Sequence, residues 1–154
     1  MQKKQKYQKE FIKLIATGLY AGYFPFASGT FGTLVGIILF LIISRFSSGL
    51  YLVLVVSLFL VGVGVSTQAE IIFGQKDSGY IVIDEIVGFL VTMMFVPNKI
   101  GYILVGFFFF RLFDVLKPYP ARAMEKINGG FGIMLDDVFA GFYAFLVLQL
   151  IQKI

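Results

Sequence analysis

Long stretches without a charged residue constrain this chain more than any other feature of its sequence. Between Lys13 and Arg45 lie 31 uncharged residues, and between Arg45 and Glu70 lie 24. Three shorter stretches, of 13, 11 and 15 residues, are bounded by Glu85 and Lys99, by Lys99 and Arg111, and by Asp137 and Lys153. A helix that crosses a bilayer needs about 20 mostly apolar residues. The pattern therefore predicts an all-α integral membrane protein.

We expect a helical bundle with about five hydrophobic spans, near residues 31–45, 50–69, 81–97, 99–116 and 134–152. The composition agrees, since only 14% of the residues are charged, against about 25% in soluble domains. A length of 154 residues suits one domain. We therefore predict a single domain over residues 1–154, in which residues 1–22 form an interfacial amphipathic segment and residues 23–154 form the bundle.

The N-terminal segment has one apolar and one basic side. On a helix, Tyr7, Phe11, Leu14 and Ile15 share a face, and Lys3, Lys9 and Lys13 lie off it. This pattern is typical of a helix that lies on an anionic bilayer surface. A cleaved signal peptide is the alternative, but glycines, tyrosines and Pro25 interrupt the apolar region early.

The charged residues also predict an orientation. With the N-terminus in the cytoplasm and five spans, ten of the thirteen basic residues lie on the inner side, as the positive-inside rule requires. All nine acidic residues lie on that side too. Acidic residues contribute little to topology, so their segregation indicates a functional site at the cytoplasmic pole.

The chain contains neither cysteine nor histidine. Thiol nucleophiles, imidazole bases and His/Cys zinc sites are therefore excluded. Carboxylates must carry the chemistry, and a metal held by them is expected to be a hard cation such as Mg²⁺.

Several charged residues are expected at the inner edge of the apolar slab. Glu85 and Arg111 each lie 13 residues from Asn98, in the predicted turn between the third and fourth spans, so they should lie at matching depth. An ionised residue there is costly unless it finds a partner, and it is a functional candidate by default. The carboxylates of this group are Asp84, Glu85, Asp114, Asp136 and Asp137, and we predict that they converge on one cation such as Mg²⁺.

An alternative is that these charges only form ion pairs, Arg111 with Glu85 and Lys117 with Asp114. If they form a site, Arg111 and Lys117 can contact phosphate. Lys76, Glu125 and Lys126 are interpreted as solvated loop charges.

The segment Ser28-Gly29-Thr30-Phe31-Gly32-Thr33 opens the first predicted span. Glycines and hydroxyls before a helix can offer free backbone N–H groups to a phosphate, which makes Gly29 and Thr30 candidate phosphate-binding residues. An ordinary N-cap and turn is the alternative interpretation.

Four strings together resemble the phosphatidylglycerophosphatase A family over about residues 15–150. They are Ser28-Gly29-Thr30-Phe31-Gly32-Thr33, the stretch IVIDEIVG at 81–88, the stretch FRLFDVLKPYP at 110–120, and the stretch GIMLDDVFAG at 132–141. The motif positions carry over as Gly29, Thr30, Asp84, Glu85, Arg111, Asp114, Lys117, Asp136 and Asp137. Two positions depart from the pattern, because Ser28 stands where proline is expected and Ser78 follows Asp77 where proline is common.

The resemblance implies an all-helical, Mg²⁺-dependent lipid phosphatase of the bacterial inner membrane, with its active site facing the cytoplasm. It would hydrolyse phosphatidylglycerophosphate to phosphatidylglycerol and phosphate in phospholipid biosynthesis. In the mechanism that we expect, Mg²⁺ would be held by Asp84, Glu85, Asp136 and Asp137. Asp114 would orient Arg111 or act as a general base. A metal-activated water and a covalent aspartyl-phosphate both remain open as mechanisms.

Two other functions are alternatives to this one. A CDP-alcohol phosphotransferase would need the string D-G-x-x-A-R…G…D-x-x-x-D, which does not occur. A small cation transporter would need acidic residues along its whole path, and the outer halves of the spans have none. We expect the bilayer and a lipid substrate as partners and no nucleic acid, and the sequence leaves the oligomeric state open.

Overall fold

The computed structural model describes residues 2–153, and over these residues the fold consists of helices without a strand, as predicted. The predicted domain limits, Met1 and Ile154, lie outside the described residues. The helices are α1 (Gln2–Ala16), α2 (Ser28–Ile43), α3 (Ser48–Phe73), α4 (Ile83–Thr92), α5 (Ile100–Leu116), α6 (Ala121–Met124) and α7 (Gly130–Ile151), with a short 3-10 helix at Ala21–Tyr23.

The short helix α4 lies at the centre of the bundle. Helices α2, α3, α5 and α7 all pack against it, and eight of its ten residues are buried. The Tyr51 hydroxyl of α3 donates a hydrogen bond of 2.6 Å to the Leu90 carbonyl of α4. Only residues 83–92 of the predicted span 81–97 are helical. The helix ends there because the chain turns after Thr92, Phe95 has a positive φ, and Pro97 follows.

The expected number of about five spans is wrong for the described residues. Two helices, Ser48–Phe73 with 26 residues and Gly130–Ile151 with 22, are long and apolar enough to cross a membrane. Helices α2, α4 and α5 have 16, 10 and 17 residues. The uncharged stretches predicted too many spans, because a helix that is surrounded by other helices is apolar on all sides without crossing a membrane.

Helices α4 and α7 run in the same direction and approach closely at two glycines. A Cβ on Gly141 would overlap the Gly88 carbonyl oxygen, and a Cβ on Gly88 would lie 2.7 Å from the Asp137 carbonyl oxygen. Further along, Thr92 Oγ1 lies 3.4 Å from the Gly141 carbonyl oxygen. Because both helices start at the same pole, residues one turn before each glycine lie side by side.

Candidate active site

Three carboxylates converge where the first turn of α4 lies beside the second turn of α7. Asp84 and Glu85 are in the first turn of α4, and Asp137 lies four residues before Gly141 on α7. One oxygen of each of the three lies within 4.8 Å of the other two. Asp84 and Asp137 are 8% and 3% exposed, so the close helix crossing brings two buried acids together.

Each of the three acids has a buried oxygen without a hydrogen-bond partner. These atoms are Asp84 Oδ1, Glu85 Oε2 and Asp137 Oδ2. An unpaired buried charge is costly, and hard divalent cations take carboxylate oxygens as ligands. The donor set, its burial and its unpartnered oxygens therefore fit a cation such as Mg²⁺.

Arg111 of α5 lies beside these acids. Its Nη1 atom is 2.5 Å from Asp114 Oδ2 and 3.9 Å from Glu85 Oε1. The Asp114 contact is an ion pair, and the buried Nη1 atom forms no hydrogen bond. The predicted matching depth of Glu85 and Arg111 is consistent with this geometry, and the guanidinium retains donor capacity for an anion.

The N-terminus of α2 closes the other side of the group. A Cβ on Gly29 would overlap Glu85 Oε1 and would lie 2.8 Å from Arg111 Nη1. The first backbone N–H groups of a helix have no acceptor within the helix, and those of Ser28 and Gly29 lie at this end. Thr30 is half-buried, and its backbone N–H already donates to the Ala27 carbonyl at 2.8 Å.

Lys117 and Asp136 form a second part of the site. Lys117 Nζ lies 2.7 Å from Asp136 Oδ2 and 2.6 Å from Glu125 Oε1. Burial lowers the pKa of Lys117, but the hydrogen bonds to Asp136 and Glu125 outweigh it and raise the pKa above its ordinary value. Lys117 therefore stays protonated and tied to two acids.

Two acidic residues outside the predicted site lie near Lys117 and Asp136. Glu125 is exposed, as expected of a solvated charge, and it also pairs with Lys117. Asp77, which is not among the predicted site residues, lines a small pocket together with Glu125 and Asp136, and burial raises its pKa. No local signal identifies either residue, because the loops that carry them meet only in the folded chain.

The predicted residues thus divide into two groups. Asp84, Glu85 and Asp137 converge, with Gly29, Arg111 and Asp114 around them, whereas Asp136 is held by Lys117. The alternative of simple ion pairing holds in part, since Arg111 does contact Glu85. The expected Lys117–Asp114 pair does not form among the described residues, because Lys117 reaches α6 and α7 instead.

Comparison with known proteins adds independent information. The family model described as Phosphatidylglycerophosphatase A matches residues 14–152. A phosphatidylglycerophosphatase A from Haemophilus influenzae is 39% identical, over 92% of this chain and 88% of the relative. The protein of that name from Escherichia coli is 35% identical, over 83% and 76%.

A third relative carries a different name. A Bacteroides thetaiotaomicron protein, provisionally named phosphatidylinositol-3-phosphatase, is 36% identical over 88% of this chain and 89% of its own length. No solved structure is significantly similar to this chain. The names of these three relatives therefore refer to two different lipid substrates.

Proposed function

Because this chain belongs to the phosphatidylglycerophosphatase A family, we propose that it hydrolyses phosphatidylglycerophosphate to phosphatidylglycerol and phosphate in a Mg²⁺-dependent reaction. Proteins of this family are phosphoric monoester hydrolases, so the chain is an enzyme. The two long apolar helices indicate a membrane association. The proposed location is the bacterial inner membrane, with the active site facing the cytoplasm.

One observation carries the proposal. Three carboxylates, each with one buried and unpartnered oxygen, lie beside a guanidinium whose Nη1 forms no hydrogen bond and beside a helix N-terminus. The acids would repel a phosphate unless a cation lay between the acids and the phosphate. The guanidinium and the helix N-terminus, in contrast, attract a phosphate. The arrangement therefore favours a phosphate group and a cation bound together.

The roles of the residues follow from their chemistry. Asp84, Glu85 and Asp137 would hold Mg²⁺, which when bound neutralises phosphate charge and lowers the pKa of a water ligand. Arg111, oriented by Asp114, would bind phosphate oxygens, and the free N–H groups beside Gly29 would add donors. Lys117 would keep Asp136 ionised and in place beside Asp137.

The test is phosphate release from phosphatidylglycerophosphate by the purified protein in detergent, with and without Mg²⁺. We expect hydrolysis that requires the metal and that falls by about 100-fold or more in Asp84→Asn and Asp136→Asn. Glu10→Gln, which changes an exposed acid paired only with Lys13, serves as the control. Full activity in both aspartate variants would show that the site is misplaced.

The substrate is tested in the same assay. Phosphatidylinositol 3-phosphate is included because one relative carries that name. We expect phosphatidylglycerophosphate to have the higher kcat/KM. Faster hydrolysis of the inositol lipid would keep the phosphatase but reject the proposed substrate.

Metal binding has its own measurement. If the three acids hold Mg²⁺, the thermal midpoint of the wild-type protein should rise with the Mg²⁺ concentration, because a ligand that binds only the folded state stabilises it. The rise should be absent in Asp84→Asn. An equal rise in both proteins would argue against a metal at this site.

The attacking group can be identified in a single turnover. Either route would place ¹⁸O from labelled water in the released phosphate, so the two routes are separated by trapping, and direct attack by water would leave no phosphoenzyme. An aspartyl-phosphate would instead be trapped as a hydroxylamine-sensitive phosphoenzyme.

A further inference from the structure

Helix α1 carries the whole excess positive charge of the chain. The chain has 13 Lys and Arg against 9 Asp and Glu, a net charge of +4. Five of these lysines and one of the acids lie in α1. The rest of the chain therefore holds eight charges of each sign and is neutral overall.

Most of α1 is exposed, although the helix packs against α3. Residues 3–11 are all exposed, and Tyr7 and Phe11, one turn apart, are 72% and 61% exposed. Only Lys13 forms an ion pair among the α1 lysines that the structure describes, with Glu10 at 3.0 Å. An exposed aromatic pair and free ammonium groups on one helix call for a partner that is both apolar and anionic.

The apolar side of α1 continues into an apolar part of the bundle surface. Leu14 lies on the same side as Tyr7 and Phe11, and it lines an apolar groove between α2 and α3. Ile83 and Ile86 of α4 form the floor of this groove. Helix α1 therefore leaves the bundle where the apolar surface ends and the charged pole begins.

The end of α1 is tied to the segment that carries the carboxylates. Ala16 and Thr17 are fully buried, and the Val82 N–H donates a hydrogen bond of 2.8 Å to the Ala16 carbonyl. Val82 immediately precedes α4, where Asp84 and Glu85 lie. Whatever α1 binds thus holds the active-site end of α4 close to it.

We infer that α1 docks on the anionic headgroup surface of the leaflet that contains the substrate. Tyr7 and Phe11 enter the headgroup–acyl boundary, and Lys3, Lys4, Lys6 and Lys9 contact lipid phosphates. The inference rests on the proposed function in one respect, namely that the substrate is itself a negatively charged membrane lipid. Docking thereby places the carboxylates at the level of the lipid phosphates.

The chain contains no tryptophan, so Tyr7→Trp introduces a single fluorescent reporter. The full-length protein is placed in nanodiscs of phosphatidylcholine alone or of equal parts phosphatidylcholine and phosphatidylglycerol. We expect blue-shifted emission and quenching by lipids brominated near the headgroup in the anionic discs, and weaker quenching in the neutral discs.

Charge-matched variants test the role of the lysines. On the reporter background, Lys4→Gln with Lys6→Gln should weaken docking by about fivefold per lysine, or about 25-fold for the pair. The control is Lys99→Gln with Lys153→Gln, which removes the same charge from exposed residues outside α1 and should leave docking unchanged.

Two results would overturn the inference. One is water-like emission in both kinds of disc, which would mean that α1 faces solvent or another protein. The other is equal quenching irrespective of lipid charge or of the α1 lysines. The fluorescence does not depend on turnover, so an inactive enzyme that still docks would reject only the proposed phosphatase, and an active enzyme that does not dock would reject only this inference.

Discussion

Asp137 shows how one residue can serve function at the expense of stability. Its Oδ2 atom is buried without a hydrogen-bond partner and lies near two other acids. Without a cation, the three charges repel one another in a poorly solvated place. The site is therefore expected to be a weak point of the metal-free protein.

Asp137→Asn should separate activity from stability. We expect hydrolysis to fall by about 100-fold or more, since even residues that only support metal ligands cost 10- to 100-fold when changed. In the presence of a chelator, the variant should be more stable than the wild type by about 1 kcal/mol or more, because a buried unpaired charge is gone. Thermal unfolding in detergent measures this, and a lower thermal midpoint for the variant would contradict the argument.

Gly29 is needed because two side chains occupy the place of its Cβ. In Gly29→Ala the methyl group would displace Glu85 Oε1 and approach Arg111 Nη1. Since misplacement by about 1 Å can cost 100-fold, we expect kcat to fall by about 10- to 100-fold.

The matched control for Gly29→Ala is Gly64→Ala, at a helical glycine of α3 with open space around it. It should keep full activity and gain up to about 1 kcal/mol of stability. If Gly29→Ala keeps the same activity as Gly64→Ala, the close approach of α2 to Glu85 is not needed for catalysis.

At the scale of elements, the α4–α7 crossing sets the spacing of the acids. Gly88 and Gly141 let the two backbones touch, and Asp84 and Asp137 lie one turn before them. A substitution at Gly88 or Gly141 should therefore displace Asp84 and Asp137, although each acid lies one helical turn away.

Gly141→Ala tests this arrangement. Its methyl group would overlap the Gly88 carbonyl oxygen, which belongs to a helix backbone and cannot move alone. We expect a loss of about 1–3 kcal/mol of stability together with a loss of activity, unlike Asp137→Asn. Gly101→Ala, at an open position of α5, is the control, and normal activity in Gly141→Ala would show that the spacing tolerates change.

At the scale of the whole molecule, the charged residues gather at one pole. Helices α2, α4 and α7 begin there, and α3 and α5 end there, with the loops that hold Lys76 and Glu125. At the opposite pole, Asn98 donates a hydrogen bond of 3.0 Å to Ser44 between two exposed loops. If the chain spans the membrane, the two poles face different compartments.

Single cysteines can report which pole faces the cytoplasm, since the chain has none of its own. Lys126→Cys, in the exposed loop before α7, should react with a membrane-impermeant maleimide only after the cells are permeabilised. Lys99→Cys, exposed at the opposite pole, should react in intact cells. The reverse pattern would place the active site outside and reject the proposed orientation.

Hydrophobicity and motif spacing were sufficient to predict an all-helical chain, the positions of most helices to within a few residues, and the family. These properties are local, because uncharged stretches and motif strings can be read along the chain. The motif residues were predicted as one group, and six of them, Gly29, Asp84, Glu85, Arg111, Asp114 and Asp137, do lie together.

Three features depended on how the helices pack. Helix α4 is a short buried core helix and not a span, since burial by neighbouring helices and burial by lipid select the same apolar residues. Lys117 pairs with Glu125 and Asp136, 8 and 19 residues away, because the chain folds back through α6. Asp137, rather than Asp136, turns toward Asp84 because successive helix residues point about 100° apart, and the contact of Gly88 with Gly141 sets which of the two faces α4.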